Sequence, residues 1–408
     1  MLKTVSILLM WGFAAFFYFY ENILQVLPSV MRPELSEAFG LNGAQFGHLS
    51  AVCLYAYGLM QIPVGIFSDR FQAKYILSGA ALLCAVGCLL FASAKTLFMA
   101  EAGRLLMGLG GSFAFISTVK LATNYFAAQW IALLIGITVT LGFLGSVLGL
   151  SWGSHWMEIF SWRKMLVGCS AGGFVLAIVL WLLIAEEKQV IHTKQTIREI
   201  LRELYSLCRR TELWMAALYG CLMFVPTQIF GSSWGVPFLC EAHGFERASA
   251  GLYSALIYVG WMVGGPLWGW ISSRFNQCYS ILGCATVLTF LLSLMMIASN
   301  SLSSGLAGLL LFGIGFFSSA YLLIFAVIQG MTSVQFSGIA LGVANAVSSL
   351  SALADPLLGK ILDTLAASFR GAVTEYVFNI GEYQVGLLLI PVFLILSLCF
   401  LFYQRPAL

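Results

Sequence analysis

The chain has 408 residues, of which 60% are hydrophobic and only 9% are charged, and its formal net charge is +3. Because soluble domains carry about 25% charged residues, this composition excludes a water-soluble globular fold, and so small a net charge gives no reason to expect a nucleic-acid partner. The mean hydropathy of +0.94 comes from long apolar blocks, and about 20 apolar residues are enough to span a bilayer. The sequence therefore predicts a polytopic protein whose surroundings are the lipid bilayer.

The cysteines and histidines argue against bound groups. The ten cysteines are scattered singly without a CxxC pair, which is typical of small apolar packing residues. The four histidines are equally dispersed, so we predict neither a metal site nor a bound cofactor. The same dispersion argues against a membrane enzyme, which would need a cluster of histidine, serine or carboxylate side chains at one depth.

Apolar blocks separated by charged or turn-rich breaks predict twelve transmembrane helices. The first block is too long for the apolar region of a cleaved signal peptide, so we expect it to remain as the first span. The predicted limits are 5–30, 44–67, 74–94, 97–120, 130–152, 163–185, 213–238, 247–271, 279–299, 304–328, 336–358 and 382–404.

The first span contains a carboxylate. In WGFAAFFYFYENILQVLPSV, residues 11–30, Glu21 interrupts an otherwise apolar helix, and Asn22 and Gln25 lie close to it. A charged side chain at membrane depth is costly and usually marks a pathway for substrate or protons. Glu21 is therefore a candidate for proton coupling, for binding a substrate amine, or for neutralising another charge.

The loop after the second span carries the most specific motif. GIFSDRFQAK places Gly65, Asp69, Arg70 and Lys74 in the spacing G-x-x-x-D-R-x-x-x-K. This pattern resembles the signature loop of the major facilitator superfamily, although Gln72 stands where that family usually has a glycine. The resemblance implies a cytoplasmic gate, and a solvated charged turn is the alternative. We expect Gly65 to let helices approach closely and Asp69 to lie at a helix amino terminus.

The fourth span adds a basic residue. In LFMAEAGRLLMGLGGS, Arg104 precedes a glycine-rich turn, which resembles the second motif of the same superfamily. From the helical rise, Arg104 lies roughly 10 Å and Glu21 roughly 13 Å below the outer surface. We therefore predict a Glu21–Arg104 pair across the cavity, either as a salt bridge or as a proton-dependent switch. Glu101, one turn before Arg104, is an alternative local partner.

The longest polar stretch separates the sixth and seventh spans. It divides the chain into an N-terminal six-helix bundle at 1–185, a cytoplasmic linker at 186–212 and a C-terminal six-helix bundle at 213–408. Apolar residues at helical spacing in the linker predict an amphipathic helix on the membrane surface. With both termini inside, twelve Lys or Arg residues lie on the cytoplasmic side and seven on the other, which favours this orientation.

The two bundles share a sequence repeat. At a constant offset of 204 residues, Gly47 aligns with Gly251 and Gly65 with Gly269. The stretch GWISSR, which ends at Arg274, is a degenerate copy of the loop motif. A parallel repeat implies two pseudo-symmetric six-helix bundles with a central cavity between them.

Further polar residues in the spans are candidates for coupling or for a substrate site. Asp355 precedes Pro356 in the eleventh span, where it is either a second protonatable group or an interfacial residue. A single aromatic residue in a span is more often a packing or lipid-facing side chain than a ligand. The candidate substrate ligands are Tyr18, Gln25, Tyr219, Gln228, Tyr321 and Gln329.

The resemblance to the major facilitator superfamily covers the whole chain. It implies an all-α membrane carrier that works by alternating access, as a monomer in a bacterial inner membrane, with the proton gradient as driving force. The stretches FYFYENILQVLPSVM and YGLMQIPVGIFSDRF are similar to the proteobacterial branch of intraphagosomal amino-acid transporters and, more distantly, to lysosomal dipeptide carriers. This similarity implies proton-coupled uptake of a small polar or zwitterionic solute, such as an amino acid or a short peptide.

Other functions remain open at this point. A siderophore, a nucleoside or an organic anion is an alternative substrate, carried by an importer or an exporter. The fifth span lacks the Gly-Pro pair of the superfamily's antiporter motif, which favours uptake over drug export. A non-transporting membrane sensor is the alternative from a different class, but a sensor would not need a gate motif and glycine-lined interfaces in two repeated halves.

Overall fold

A computed structural model of the chain describes residues 2–184, 197–275, 277–331, 337–370 and 377–404. Within these residues the regular structure is helical and contains no strand. The α-helices are α1 Leu2–Val30, α2 Arg32–Phe39, α3 Gly43–Arg70, α4 Ala73–Ala92, α5 Leu97–Tyr125, α6 Ala128–Ile159, α7 Trp162–Leu183, α8 Ile197–Cys208, α9 Thr211–Thr227, α10 Gly235–His243, α11 Arg247–Phe275, α12 Cys278–Ala298, α13 Ser304–Ser318, α14 Leu323–Gly330, α15 Ser337–Ser348, α16 Ala354–Arg370, α17 Ile380–Leu387 and α18 Leu389–Gln404.

The described residues contain twelve helical segments long and apolar enough to cross a membrane, so the predicted all-α fold with twelve spans is confirmed. The spans pack into two bundles, and the helix pairs α3–α16 and α6–α11 join one bundle to the other. The spans are Ser6–Val30, Gly43–Ser68, Ala73–Ala92, Leu97–Tyr125, Gln129–Ile159, Trp162–Leu183, Thr211–Ser233, Arg247–Phe275, Cys278–Ala298, Ser304–Gly330, Gly338–Phe369 and Ile380–Tyr403.

The eleventh span is longer than predicted. It continues to Phe369, whereas the charged residues Lys360 and Asp363 suggested an end at residue 358. Lys360 is exposed on its helix, and the carboxylate of Asp363 accepts hydrogen bonds from the amino terminus of α3. These two charges are thus accommodated within the helix and do not end it.

Three spans of the C-terminal bundle contain short turns that are not α-helical. The seventh span ends in a π-helix at Gln228–Ser233, and the tenth and eleventh contain 3₁₀ turns at Ser319–Leu322 and Ser349–Leu353. Pro356 explains the last of these turns, because its backbone nitrogen carries no hydrogen to donate and its ring clashes with the carbonyl group four residues earlier. Such irregular backbone at membrane depth is tolerated where it is buried in protein.

The linker contains α8, in which Leu207 is buried and Leu204 is half-buried, while Leu201 and Tyr205 are exposed. This amphipathic pattern fits the helix predicted for the membrane surface. Residues 186–196 of the predicted linker lie outside the described residues.

Two glycines related by the repeat bring the bundles together. Helix α1 begins and helix α18 ends on the same side of the membrane, which is called the terminal side here. Both glycines lie near the other side, which is called the opposite side. A Cβ on Gly47 of α3 would lie 2.3 Å from the Asp355 carbonyl oxygen of α16. A Cβ on Gly251 of α11 would lie 2.1 Å from Ser154 Oγ of α6. Both inter-bundle crossings therefore require a residue without a side chain.

The glycines of the loop motif behave differently. A Cβ added to Gly65 or to its repeat partner Gly269 would meet nothing within 4 Å. The prediction that Gly65 lets helices approach closely is therefore wrong for this conformation, because no neighbouring helix packs on that position.

We predict that Gly47→Ala and Gly251→Ala each destabilise this conformation by about 1–3 kcal/mol, because the new methyl group overpacks a helix crossing. Thermal unfolding of the purified protein in detergent measures the effect. Gly79→Ala is the matched control, since a Cβ there would meet nothing within 4 Å and alanine favours a helix. Equal melting temperatures for all three variants would contradict the prediction.

Candidate functional site

Glu21 is buried in the N-terminal bundle, with 3% of its surface exposed. Its Oε2 accepts a hydrogen bond from Asn22 Nδ2 at 3.0 Å, and its Oε1 accepts a long one from Gln25 Nε2 at 3.5 Å. The side chain packs on Gly111 of α5, where a Cβ would lie 2.4 Å from Glu21 Cγ. The carboxylate is therefore held by neutral amides, and one of its oxygens is only weakly engaged.

Arg104 is 1% exposed and is held by backbone carbonyl groups. Its Nη1 donates to Leu24 O at 2.7 Å, and its Nη2 donates to Ser50 O at 2.9 Å and to Gln25 O at 3.2 Å. Its Nε donates to Leu49 O at 3.4 Å. The guanidinium thus ties α5 to α1 and α3, with four carbonyl oxygens around its five N–H groups.

The predicted salt bridge between Glu21 and Arg104 does not form among the contacts of the described residues. The local alternative does not form either, because Glu101 instead pairs with His48, at 2.8 Å between Oε1 and Nδ1. Carbonyl dipoles satisfy Arg104 without a carboxylate, and sequence depth alone could not show where its side chain turns. Glu101 lies at the edge of the bundle and not in the central region.

Asp355 is fully buried, so it is not an interfacial residue. Its Oδ2 accepts a hydrogen bond from Gln228 Nε2 at 2.7 Å, and its Oδ1 accepts one from Ser233 Oγ at 2.5 Å. Both donors belong to the π-helix of the seventh span. Asp355 therefore joins the seventh and eleventh spans directly beneath the crossing at Gly47, and both of its oxygens are engaged by short hydrogen bonds.

Polar and aromatic side chains meet between the bundles at the middle of the membrane. Asn345 Nδ2 donates to Gln61 Oε1 across the interface at 3.1 Å. The ring of Phe143 on α6 lies 5.5 Å from that of Trp261 on α11, and Trp261 lies 5.6 Å from Tyr321. These contacts define the region where the two bundles must separate if a solute is to pass.

The candidate substrate ligands divide into two groups. Tyr18 lies on the face of α1 that carries Glu21 and Gln25, with its ring against Gly142, and Tyr321 lies at the contact between the bundles. Gln228 is engaged with Asp355. The structure thus places these candidates near the two carboxylates or near the interface.

The prediction of Tyr219 as a cavity residue is wrong for this structure, and that of Gln329 stays a prediction. The Tyr219 hydroxyl is buried inside the C-terminal bundle, 3.0 Å from Thr286 Oγ1. Gln329 is exposed at the terminal-side end of the tenth span. A one-residue change in helical rotation turns a side chain by about 100°, and the sequence does not fix that rotation.

The loop motif lies at the terminal-side end of α3. Arg70 and its repeat partner Arg274 are exposed, and Lys74 Nζ lies 4.7 Å from the centroid of the Trp181 ring. The side chain of Asp69 lies outside the described residues, so its predicted contact with a helix amino terminus stays a prediction.

A buried arginine closes the opposite side. Arg32 of α2 forms an ion pair with Glu241 of α10 and donates to the Tyr383 hydroxyl at 3.3 Å. Its guanidinium carbon also lies 4.9 Å from the Trp234 ring and 5.0 Å from the Phe378 ring. Burial would lower the pKa of the Arg32 guanidinium, but Tyr383 and Glu241 beside it raise that pKa above its ordinary value.

Two further polar contacts reinforce this closure. Arg247 of α11 donates to Glu34 of α2 at 2.6 Å. The Asp363 carboxylate accepts from the backbone N–H groups of Gly43 and Ala44 at 2.7 and 2.9 Å. Those N–H groups have no partner within α3, so a carboxylate from the other bundle stabilises the helix amino terminus.

Sequence reasoning missed these closing residues. Arg32, Glu241 and Asp363 lie near predicted span ends, where charged residues are expected at the lipid headgroups. The available signal was the pairing of a basic residue in one repeat with acidic residues in the other, but sequence alone does not indicate which charges meet. Gln61 and Asn345 had a clearer signal, because each is a polar residue within a predicted span.

Comparison with known proteins gives consistent results. The family model of the Major Facilitator Superfamily matches residues 7–356. The chain is similar to the probable sulfoacetate transporter SauU of Cupriavidus necator, with 25% identity over 68% of this chain and 66% of that protein. It is also similar to the lysosomal dipeptide transporter MFSD1 of Danio rerio, with 23% identity over 70% of this chain and 64% of that protein. Each match thus spans about two thirds of the relative's length.

Among solved structures, the chain is similar to a bacterial homologue of the human lysosomal transporter Spinster in an inward-facing and occupied conformation. The TM-score is 0.80 at 18% identity, and the match covers 100% of this chain and 97% of that one. At this identity the likeness shows the fold alone.

We predict that Arg104→Lys lowers thermal stability strongly, whereas Glu101→Gln leaves it within about 1 kcal/mol. A lysine ammonium cannot reach four carbonyl groups, and a hydrogen bond to a charged group contributes about 1.5–3 kcal/mol. The His48 and Glu101 side chains are 50% and 23% exposed, so screening leaves their pair a contribution of about 0–1 kcal/mol. Unfolding curves in detergent measure both, and an equal loss in the two variants would contradict the assignment.

We also predict that Arg32→Ala accelerates maleimide labelling of Cys240 at neutral pH. Burial raises the pKa of the Cys240 thiol to about 11, and the thiolate is the reactive form. Opening of the opposite side should expose this thiol, lower its pKa and increase the labelling rate.

The experiment uses a background in which the exposed cysteines Cys208, Cys284 and Cys399 are replaced by serine. Arg163→Ala is the control, because Arg163 lies on the same side but donates to Ala92 and Ala94 within its own bundle. Equal labelling rates for the Arg32 and Arg163 variants would contradict the role of Arg32.

Proposed function

The chain belongs to the Major Facilitator Superfamily, and we propose that this transporter takes up a small zwitterionic solute, such as an amino acid or a short peptide, together with protons. Membership of this family makes the chain an integral multi-pass membrane transporter and not an enzyme. The proposal adds the direction of transport, the driving force and the substrate class.

Proton coupling is supported by two of the buried carboxylates. Glu21 lies in the N-terminal bundle and Asp355 in the C-terminal bundle, and the hydrogen bonds that each accepts come from neutral groups. Burial of an ionised carboxylate without a cationic partner is costly, and taking up a proton removes that cost. A carboxylate whose surroundings change between two conformations can therefore bind a proton from one side of the membrane and release it to the other.

Asp355 is the more favourable position for the coupled proton. Its carbonyl oxygen lies at the Gly47 crossing, so any separation of the bundles on the opposite side changes its surroundings. Its two oxygens accept hydrogen bonds from Ser233 and Gln228, so neither is available to a donor group of a solute.

Alternating access is supported by the closure of the opposite side. The contacts of Arg32, Arg247 and Asp363 join the two bundles there, and they must break when that side opens. The distribution of basic residues favours a cytoplasmic location for the terminal side. A protein that is closed on the opposite side therefore faces inward. We also propose that the protein is a monomer in a bacterial inner membrane, with both termini in the cytoplasm.

Relatives support two substrate classes. The dipeptide transporter MFSD1 favours a zwitterion, whereas the probable sulfoacetate transporter SauU favours an organic anion as the second candidate. Screening amino acids, dipeptides, nucleosides and organic acids for thermal stabilisation of the purified protein would identify a solute for transport assays.

With that solute, Asp355→Asn should abolish accumulation driven by a pH gradient in proteoliposomes but retain exchange of labelled for unlabelled solute. Asparagine mimics the protonated acid, and exchange requires no net proton movement. Glu158→Gln is the control, because Glu158 is an exposed carboxylate at the end of α6. Accumulation by Asp355→Asn at the rate of the unmodified protein would contradict the role of Asp355, and pH-independent uptake by the unmodified protein would contradict proton coupling.

A further inference from the structure

We infer that the substrate must carry an ammonium group, which binds to Glu21, and that anions such as sulfoacetate are not carried. This inference rests on the proposed transport function and specifies the recognised part of the solute. It differs from what the similarity to SauU would suggest.

No buried basic side chain of the described residues is free for an anion. Within the described part of the chain, the buried Lys and Arg residues are Arg32 and Arg104. Arg32 lies in the closure of the opposite side, paired with Glu241. Arg104 lies at the depth of Glu21, but its N–H groups are directed at four carbonyl oxygens of α1 and α3. A sulfonate or carboxylate would have to displace these carbonyls and leave them unsatisfied, at a cost for each.

Glu21 has free hydrogen-bonding capacity. An ionised carboxylate has about four acceptor positions. Glu21 accepts one hydrogen bond of ordinary length, from Asn22, and a long one from Gln25. Asp355 by comparison has short hydrogen bonds on both oxygens. Compared with Asp355, Glu21 is therefore the carboxylate that can accept an additional N–H donor from a solute.

Aromatic side chains lie near the Glu21 carboxylate. Tyr18 and Tyr57 of the N-terminal bundle and Tyr258 of the C-terminal bundle each lie within electrostatic range of Glu21. Aromatic rings attract an ammonium group through their negative faces, and they offer nothing comparable to an anion. Carboxylate and rings together match an amine, while the amides of Gln61 and Asn345 provide neutral polar contacts for the rest of the solute.

The test compares solutes that differ in whether they carry an ammonium group, a carboxylate or both. The probes are L-phenylalanine, L-phenylalaninamide, phenethylamine and N-acetyl-L-phenylalanine, with the same four forms derived from L-alanine, and sulfoacetate. Thermal stabilisation of the full-length protein in detergent reports binding, and competition against a stabilising probe gives relative affinity. We expect stabilisation by amine-bearing forms, including those without a carboxylate, and none by the N-acetyl forms or sulfoacetate.

Glu21→Gln should weaken binding of the stabilising amines by about tenfold or more, because a hydrogen bond to a charged group is replaced by one to a neutral amide. Glu158→Gln removes the same charge far from the central region and should bind as tightly as the unmodified protein. Unchanged amine affinity in Glu21→Gln, with correct folding shown by its unfolding curve, would overturn the inference. Stabilisation by sulfoacetate or by an N-acetyl form would also overturn it.

These outcomes are separable from those of the proposed function. If an N-acetyl form binds and its uptake follows a pH gradient, the inference fails and the proton-coupled carrier stands. If the amines bind through Glu21 but uptake ignores the gradient, the inference stands and proton coupling fails.

Discussion

The burial of a single guanidinium group organises the N-terminal bundle. Arg104 lies within a span, away from water, and its charge must be compensated inside the protein. The bundle compensates it with carbonyl oxygens of α1 and α3 and not with a carboxylate. Those hydrogen bonds hold three spans together and fix the rotation of α1, which sets the direction of Glu21. Because carbonyl groups accept the hydrogen bonds of Arg104, Glu21 accepts its own from neutral amides, while Arg104 stays within electrostatic range of it.

The absence of water at membrane depth acts differently where the bundles meet. Helices embedded in lipid gain little from the hydrophobic effect when they associate, so close packing and polar contacts decide which helices join. Gly47 and Gly251 provide the close packing at two repeat-related crossings, and the pairs Arg32–Glu241 and Glu34–Arg247 provide the polar contacts. All of these lie on one side of the membrane. The interface is therefore a set of local contacts that can break together, which is what alternating access requires.

Much of the fold followed from the sequence, because span length and hydropathy are set by the bilayer and not by tertiary contacts. The twelve spans and the superfamily were predicted correctly, and Gly47 and Gly251 were found through the repeat. The errors concern side-chain direction: Arg104 turns to carbonyls, Glu101 to His48 and Tyr219 into its own bundle. Each error arises because a span buries most of its circumference against protein or lipid, so apolar periodicity does not reveal which face points to the centre.

The sequence by itself determined that this is a twelve-span membrane protein built from two related halves, and that Glu21 and Arg104 are charges at membrane depth, whereas the burial of Asp355 came from the structure. It did so because the exclusion of water from the bilayer imposes length, composition and rarity of charge on every span. Only the tertiary structure decided the partners of those charges, since carbonyl, amide and hydroxyl groups can satisfy a charge as well as an opposite charge can. That choice separates an anion carrier from an amine carrier, and it depends on helix rotation and on contacts between residues far apart in the chain.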